Sequence, residues 1–124
     1  MSTENDIHAL IQTYFDCMFE ASADKTHAAF HPSARITGYM QGKFSEMTVE
    51  QFADVVAGVD PSPKARGDTP RLDIVSLDVA GDTAVARVRD DYMGLTFLDT
   101  LSLVRVEDRW QIYNKLYHVE GEAG

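Results

Sequence analysis

The chain has 124 residues, enough for one domain (residues 1–124) and too few for a second core. Hydrophobic residues make up 44% and charged residues 25%, a globular balance that excludes wholesale disorder. Lys plus Arg is 11 and Asp plus Glu is 20, a formal charge of -9 that argues against nucleic acid as a partner and says little about a small ligand.

No run free of Asp, Glu, Lys and Arg exceeds nine residues, so no membrane-spanning helix and no membrane partner are expected. Met1-Ser2-Thr3-Glu4-Asn5-Asp6 is acidic where a secretory signal is basic, and Cys17 has no second cysteine to pair with. A cytoplasmic location is the expectation.

Ile7, Leu10, Ile11, Tyr14, Phe15, Met18 and Phe19 form one apolar stripe at helical spacing, with Ser2 or Thr3 as the cap. Cys17 within it reads as a small packing residue. Asp24 is expected to cap a short second helix through Phe30, which Pro32 ends. Ala34 to Met47 reads as two short strands about Gln41-Gly42. Thr48 caps a third helix over Val49 to Ala57, with Gln51 three residues on. Gly58 to Pro70, with three prolines and two glycines, reads as a loop at the edge of any site.

The rest of the chain is strand-like. Runs at Arg71 to Ala80, Thr83 to Tyr92, Leu95 to Val106 and Arg109 to Val119 are separated by Gly81-Asp82, Met93-Gly94 and Glu107-Asp108. They form an antiparallel meander, and residues 120–124 read as a frayed tail. Helices first and a meander last make an α+β domain, a curved sheet with helices on one face.

Two-residue turns fix register, and register fixes which side chains share a face. The turn at Met93-Gly94 pairs Tyr92 with Leu95, Asp90 with Phe97, Val88 with Asp99 and Ala86 with Leu101. The turn at Glu107-Asp108 pairs Leu103 with Ile112, Leu101 with Asn114, Asp99 with Leu116 and Phe97 with His118. The turn at Gly81-Asp82 pairs Val79 with Ala84 and Leu77 with Ala86. One face then collects Val75, Leu77, Val79, Ala84, Ala86, Val88, Leu95, Phe97, Leu101, Leu103, Trp110, Ile112 and Leu116. The other is mixed and carries Lys115 with Leu98, Tyr113 and Tyr117, a surface suited to a second subunit.

Asp90, Tyr92, Asp99, Asn114 and His118 are the polar exceptions on the apolar face, where polar groups must be paired or hydrated. Asp90 and Asp99 are diagonal neighbours, roughly 7 Å apart by sheet geometry. A carboxyl group facing an apolar cavity, or beside another carboxylate, ionises late and can serve as a general acid or base near neutral pH. The candidate catalytic residues are therefore Asp99, Asp90 and His118. Tyr14, Met18, Tyr92, Phe97, Asn114, Trp110 and Leu116 are the candidate ligand-binding residues, with Met40 and Met93 as adaptable walls. The alternatives are a structural hydrogen bond for Asp99, water access for Asp90 and Tyr92, and a rim position for His118.

His27 and His31 have the i, i+4 spacing of a zinc pair. Ala28 stands where a metalloprotease would need Glu, and no metal site or cofactor is expected. No phosphate-binding glycine loop and no nucleophile elbow occur.

The order of elements, with Phe30-His31-Pro32 and the final strands from Leu101-Ser102-Leu103-Val104 through Trp110-Gln111-Ile112-Tyr113-Asn114-Lys115, resembles the nuclear transport factor 2-like superfamily. Within it the chain is similar to the branch labelled Putative lumazine-binding, close to the SnoaL-like polyketide cyclases. The resemblance implies a cone-shaped fold with three N-terminal helices on the concave sheet face. It also implies a pocket between the first helix and the sheet, and often a homodimer through the outer sheet face. Superfamily enzymes of the cyclase and isomerase kind use an Asp or an Asp–His pair in the pocket, and Asp99 lies in that region. Fold does not settle function here. Three readings stand: a binding protein for an unknown small molecule; a cofactor-independent enzyme using a pocket Asp as general base; or a structural or interaction module.

Overall fold

A computed structural model describes residues 2–123. Helix α1 spans Thr3–Phe19 and buries the expected stripe from Ile7 to Met18; Ser2 caps it by accepting the Asn5 N–H at 3.1 Å. Helix α2, Ala23–Ala29, is capped by Ser22 rather than Asp24: its hydroxyl accepts the Lys25 N–H, and its carbonyl also holds the buried Thr26 hydroxyl at 2.9 Å. Strand β1, Phe30–Met40, begins where α2 ends, so His31 and Pro32 lie in a strand. After the Gln41-Gly42 turn come strand β2, Lys43–Thr48, and helix α3, Val49–Ala57, whose Thr48 and Gln51 form a reciprocal cap. The expected loop contains a fourth helix, α4 over Pro63–Arg66, capped by Ser62 and ended by Gly67. Its single turn is too short to announce itself by periodicity.

Strands β3 (Leu72–Ala80), β4 (Thr83–Tyr92), β5 (Leu95–Val106) and β6 (Arg109–Glu122) complete one six-stranded sheet in the order β2-β1-β6-β5-β4-β3. All neighbours are antiparallel except β1 and β6, which run parallel. Through Ala123 the tail is not frayed: β6 runs to Glu122, and the Ala123 N–H donates to the Gly94 carbonyl at 2.9 Å; Gly124 lies outside the described residues.

The β4–β5 ladder follows the two-residue turn without interruption from Tyr92–Leu95 to Thr83–Val104. Met93 and Gly94 both have positive φ, the geometry such a turn requires. The β5–β6 ladder departs from expectation. Leu103 faces Ile112, but Ser102 faces Asn114, so Tyr113 is an extra residue in β6. This bulge turns over the residues of β6 from Asn114 to Val119, after which a second extra residue, Glu120, restores the first alternation. Leu101 therefore pairs with Lys115 rather than Asn114, Asp99 with Tyr117 rather than Leu116, and Phe97 with Val119 rather than His118.

Helix α1 lies across β4 and β6, with α2 beside it and α3 beyond α2. Ile7, Ile11, Tyr14 and Met18 meet Ala86, Val88, Leu101, Leu103 and Ile112 in the core, each large side chain contributing about 1.5–3 kcal/mol by leaving water. β3 lies outside this cover. Val75 and Val79, expected in the core, are exposed on the edge strand, and a bulge between Ile74 and Ser76 breaks its alternation.

Candidate functional site

The concave face holds a cavity of about 190 Å3 between α1, α3 and the sheet. That is slightly more than the roughly 150 Å3 that accepts a benzene ring. Its walls are apolar, with Met18, Ile36, Phe52, Phe97 and Tyr117 deep inside. Met40, Val55 and Met93 are exposed and form the mouth. One carboxyl and one amine enter this lining, Asp90 and Lys115, at 1% and 5% exposure. A shallower hollow of about 530 Å3, between α4 and the β4–β5 turn, shares Tyr92 and Met93 with it.

Register explains the carboxyl pair. Val88 pairs with Asp99 and Asp90 with Phe97, so the two carboxyls are diagonal neighbours on the inner face, as expected. Asp99 is fully buried and sits behind Asp90, where the Tyr14 hydroxyl donates to its Oδ2 at 2.6 Å. Asp90 Oδ2 and Asp99 Oδ1 have no other protein partner, and a proton on Asp90 donated to Asp99 supplies one. Burial, then the negative charge of Asp99 and the hydrogen bond to it, pushes Asp90 up to about 9, against the opposing pull of Lys115. Asp90 is thus a neutral acid at pH 7. Burial and the charges of Asp99 and Asp90 raise Tyr14 well above its ordinary value, which keeps it a donor. Burial pushes Tyr92 up to about 12, and its buried hydroxyl has no protein partner.

Lys115 is the residue that strand alternation assigned to the wrong face. The Tyr113 bulge turns it inward, and its Nζ lies 4.7 Å from the Phe52 ring centre, 4.8 Å from Tyr14 and 5.8 Å from Tyr117. The Met18 sulfur is 3.9 Å away, and no carboxylate among the described residues lies within ion-pairing distance. Gly38 makes room for this arrangement. It pairs with Tyr117 across the β1–β6 ladder, and a Cβ there would stand 2.6 Å from the Tyr117 ring.

Of the expected site residues, Tyr14, Met18, Asp90, Tyr92, Phe97 and Asp99 come together at or just behind the cavity wall. Asn114, Leu116 and His118 do not: they follow the bulge and leave the inner face, Leu116 at 54% exposure. Trp110 is buried at the far end of the sheet, below Arg105, and is not part of the lining. Tyr117, expected outside beside Leu98 and Tyr113, is inside. His31 accepts the Ser33 N–H at 3.0 Å and packs on Tyr113. No cluster of three or more His, Cys, Asp or Glu able to hold a metal occurs among the described residues, and none of the described helices is long and apolar enough to cross a membrane.

Residues 2–118 match the model of the family described as Putative lumazine-binding, and the chain belongs to that family. A curated relative, the aldolase FrzH of Cladobotryum sp, is 25% identical over 119 residues, covering 94% of this chain and 93% of that one. A nuclear transport factor 2-like protein of unknown function from Silicibacter pomeroyi DSS-3 superposes with a TM-score of 0.86 at 25% identity, covering 97% of this chain and 100% of its own. Another, from Shewanella baltica OS155, gives 0.80 at 26% identity, covering 98% and 99%. The fold is nuclear transport factor 2-like.

Proposed function

We propose that this member of the Putative lumazine-binding family binds a small cyclic carbonyl compound and catalyses proton transfer on it without a cofactor. The observation that carries the reading is the buried carboxyl pair at a ring-sized cavity whose lining is apolar apart from Asp90, Lys115 and the Tyr92 and Tyr117 hydroxyls. The pair shares one proton. With the proton on Asp90, the group facing the ligand is an acid that donates to a carbonyl oxygen. With the proton passed back to Asp99, Asp90 becomes a base able to take a proton from the adjacent carbon. Tyr14 holds Asp99 by a hydrogen bond, and the free Tyr92 hydroxyl gives a ligand oxygen a donor. Here Asp90 touches the ligand and Asp99 acts through it. An aldolase among the relatives supports this, because aldol chemistry begins with proton removal beside a carbonyl.

The test is exchange of the α-protons of cyclohexanone in deuterated buffer, followed by NMR. Wild-type protein is expected to exceed the buffer rate, and Asp90→Asn to abolish the excess. Asp99→Asn is expected to reduce it by about 10²–10⁴-fold, the usual contribution of acid–base catalysis. Saturable binding of cyclohexanone with exchange at the buffer rate would overturn catalysis and leave a binding protein.

We also infer self-association through the outer sheet face, where Val85, Tyr113 and Leu116 are exposed beside half-buried Leu98. Leu116→Arg is expected to halve the particle mass in light scattering; an unchanged mass overturns this. A cytoplasmic location suits the lone Cys17, a buried thiol that desolvation pushes up to about 11.

A further inference from the structure

We propose that Lys115 is a covalent site: its Nζ condenses with the carbonyl carbon of an aldehyde or unhindered ketone held in the cavity, forming an imine. The inference rests on the same cavity as the proton-transfer reading and names the substrate class more narrowly. Four observations carry it. The side chain is buried at the inner end of the lining. No carboxylate among the described residues pairs with it, although charged lysines taken from water ordinarily find one. The surroundings are a thioether and three aromatic rings, the apolar setting in which a lysine amine acts as a nucleophile. The Asp90 carboxyl, on the same wall, can supply a proton.

The atoms balance with no further reagent. The ammonium first passes one proton to the Asp90–Asp99 pair, and the freed Nζ lone pair forms a C–N bond as the carbonyl π pair moves to oxygen, which takes a proton from Asp90. Nitrogen gives its next proton to the pair, and Asp90 delivers it to the hydroxyl oxygen. The C–O bond then breaks, oxygen leaves as water, and the pair is back in its starting state. The product is a C=N bond whose protonated form keeps one positive charge. The rings of Tyr14, Phe52 and Tyr117 face that charge as they faced the ammonium. An iminium also acidifies the adjacent carbon, which is the step the carboxyl pair then serves.

The experiment treats the whole protein with benzaldehyde and sodium cyanoborohydride, which reduces an imine to a stable secondary amine, and maps the modified lysine by mass spectrometry. Lys25, Lys43 and Lys64 are the internal controls. The expected result is one benzyl group on Lys115 before any of the other three, and its loss in Lys115→Met. Modification confined to the other lysines, with Lys115 intact in wild-type protein, overturns the proposal without relying on a variant's folding. The two readings separate cleanly. Cyclohexanone exchange that persists in Lys115→Met keeps the carboxyl pair and removes the imine from catalysis. A Lys115 adduct without any exchange keeps the imine and removes the carboxyl pair.

Discussion

The two hairpins that meet at β5 obey different rules. On the β4 side, ten pairs follow from one two-residue turn, and every side chain falls where strict alternation puts it. On the β6 side the ladder starts equally regularly at Val106–Arg109, then inserts Tyr113 and, further on, Glu120. The first hairpin supplies the carboxyls. The second supplies the amine, and it does so only because its alternation is broken. A strand can therefore carry a polar surface in its first half and line a cavity with the neighbouring set of residues in its second.

The severest way to break this comparison is to insert one alanine between Asn114 and Lys115. The added residue takes the place opposite Leu101, sends Lys115 and Tyr117 outward and drives Leu116 and His118 into the cavity. The folded state is expected to be lost, since the cost rivals a small domain's total of about 5–15 kcal/mol; a thermal melt followed by circular dichroism would show no cooperative transition. A melt like that of the wild type would remove the bulge from the account. Next comes a contrast between adjacent residues. Tyr117→Ala, at a site 9% exposed, is expected to cost about 3–5 kcal/mol in urea unfolding, whereas His118→Ala on the outer side should stay within about 0.5 kcal/mol. Equal costs would mean the face assignment is wrong.

The β4 side is sharpened by pH. Unfolded, Asp90 ionises near pH 4; folded, it keeps its proton to about 9. Between those values the folded state holds the extra proton. This contribution is therefore complete below about pH 4 and declines as pH rises toward 9, by at most about 1.4 kcal/mol per unit. Urea midpoints at pH 5 and pH 8 should fall further apart for wild-type protein than for Asp90→Asn, and parallel shifts would count against a buried neutral Asp90. A smaller loss than that of Tyr117→Ala is expected from Tyr14→Phe, which leaves Asp99 without its hydroxyl donor at about 1–3 kcal/mol. Unaltered urea stability would make that hydrogen bond incidental.

Much of this was legible beforehand, for local reasons. Apolar spacing located α1, Thr48 with Gln51 marked the start of α3, and the Met93-Gly94 turn aligned Asp90 and Asp99. Legibility failed where one residue decides the outcome. Ser22 outcompeted Asp24 because its hydroxyl reaches the Lys25 N–H. The bulge left one trace in β6, the apolar doublets Ile112-Tyr113 and Leu116-Tyr117, which strict alternation cannot place on one face. Strict alternation passes over the doublets and so puts Lys115 on the outer surface, whereas Trp110 faces inward as expected but stands at the far end of the sheet, a distance that facing alone does not encode. That Asp99 stands behind Asp90 depends on depth beneath α1, which pairing register does not encode.

The Tyr14 bond to Asp99 joins positions 85 apart in the chain. During synthesis the first helix leaves the ribosome long before β5 exists, and its inner stripe must wait for the last two hairpins before it has a surface to lie on. The chemistry-bearing corner of the molecule is thus assembled only when α1 and the strands from β4 to β6 have met, so a nascent chain halted before β5 would carry Tyr14 without the Asp99 carboxylate it holds.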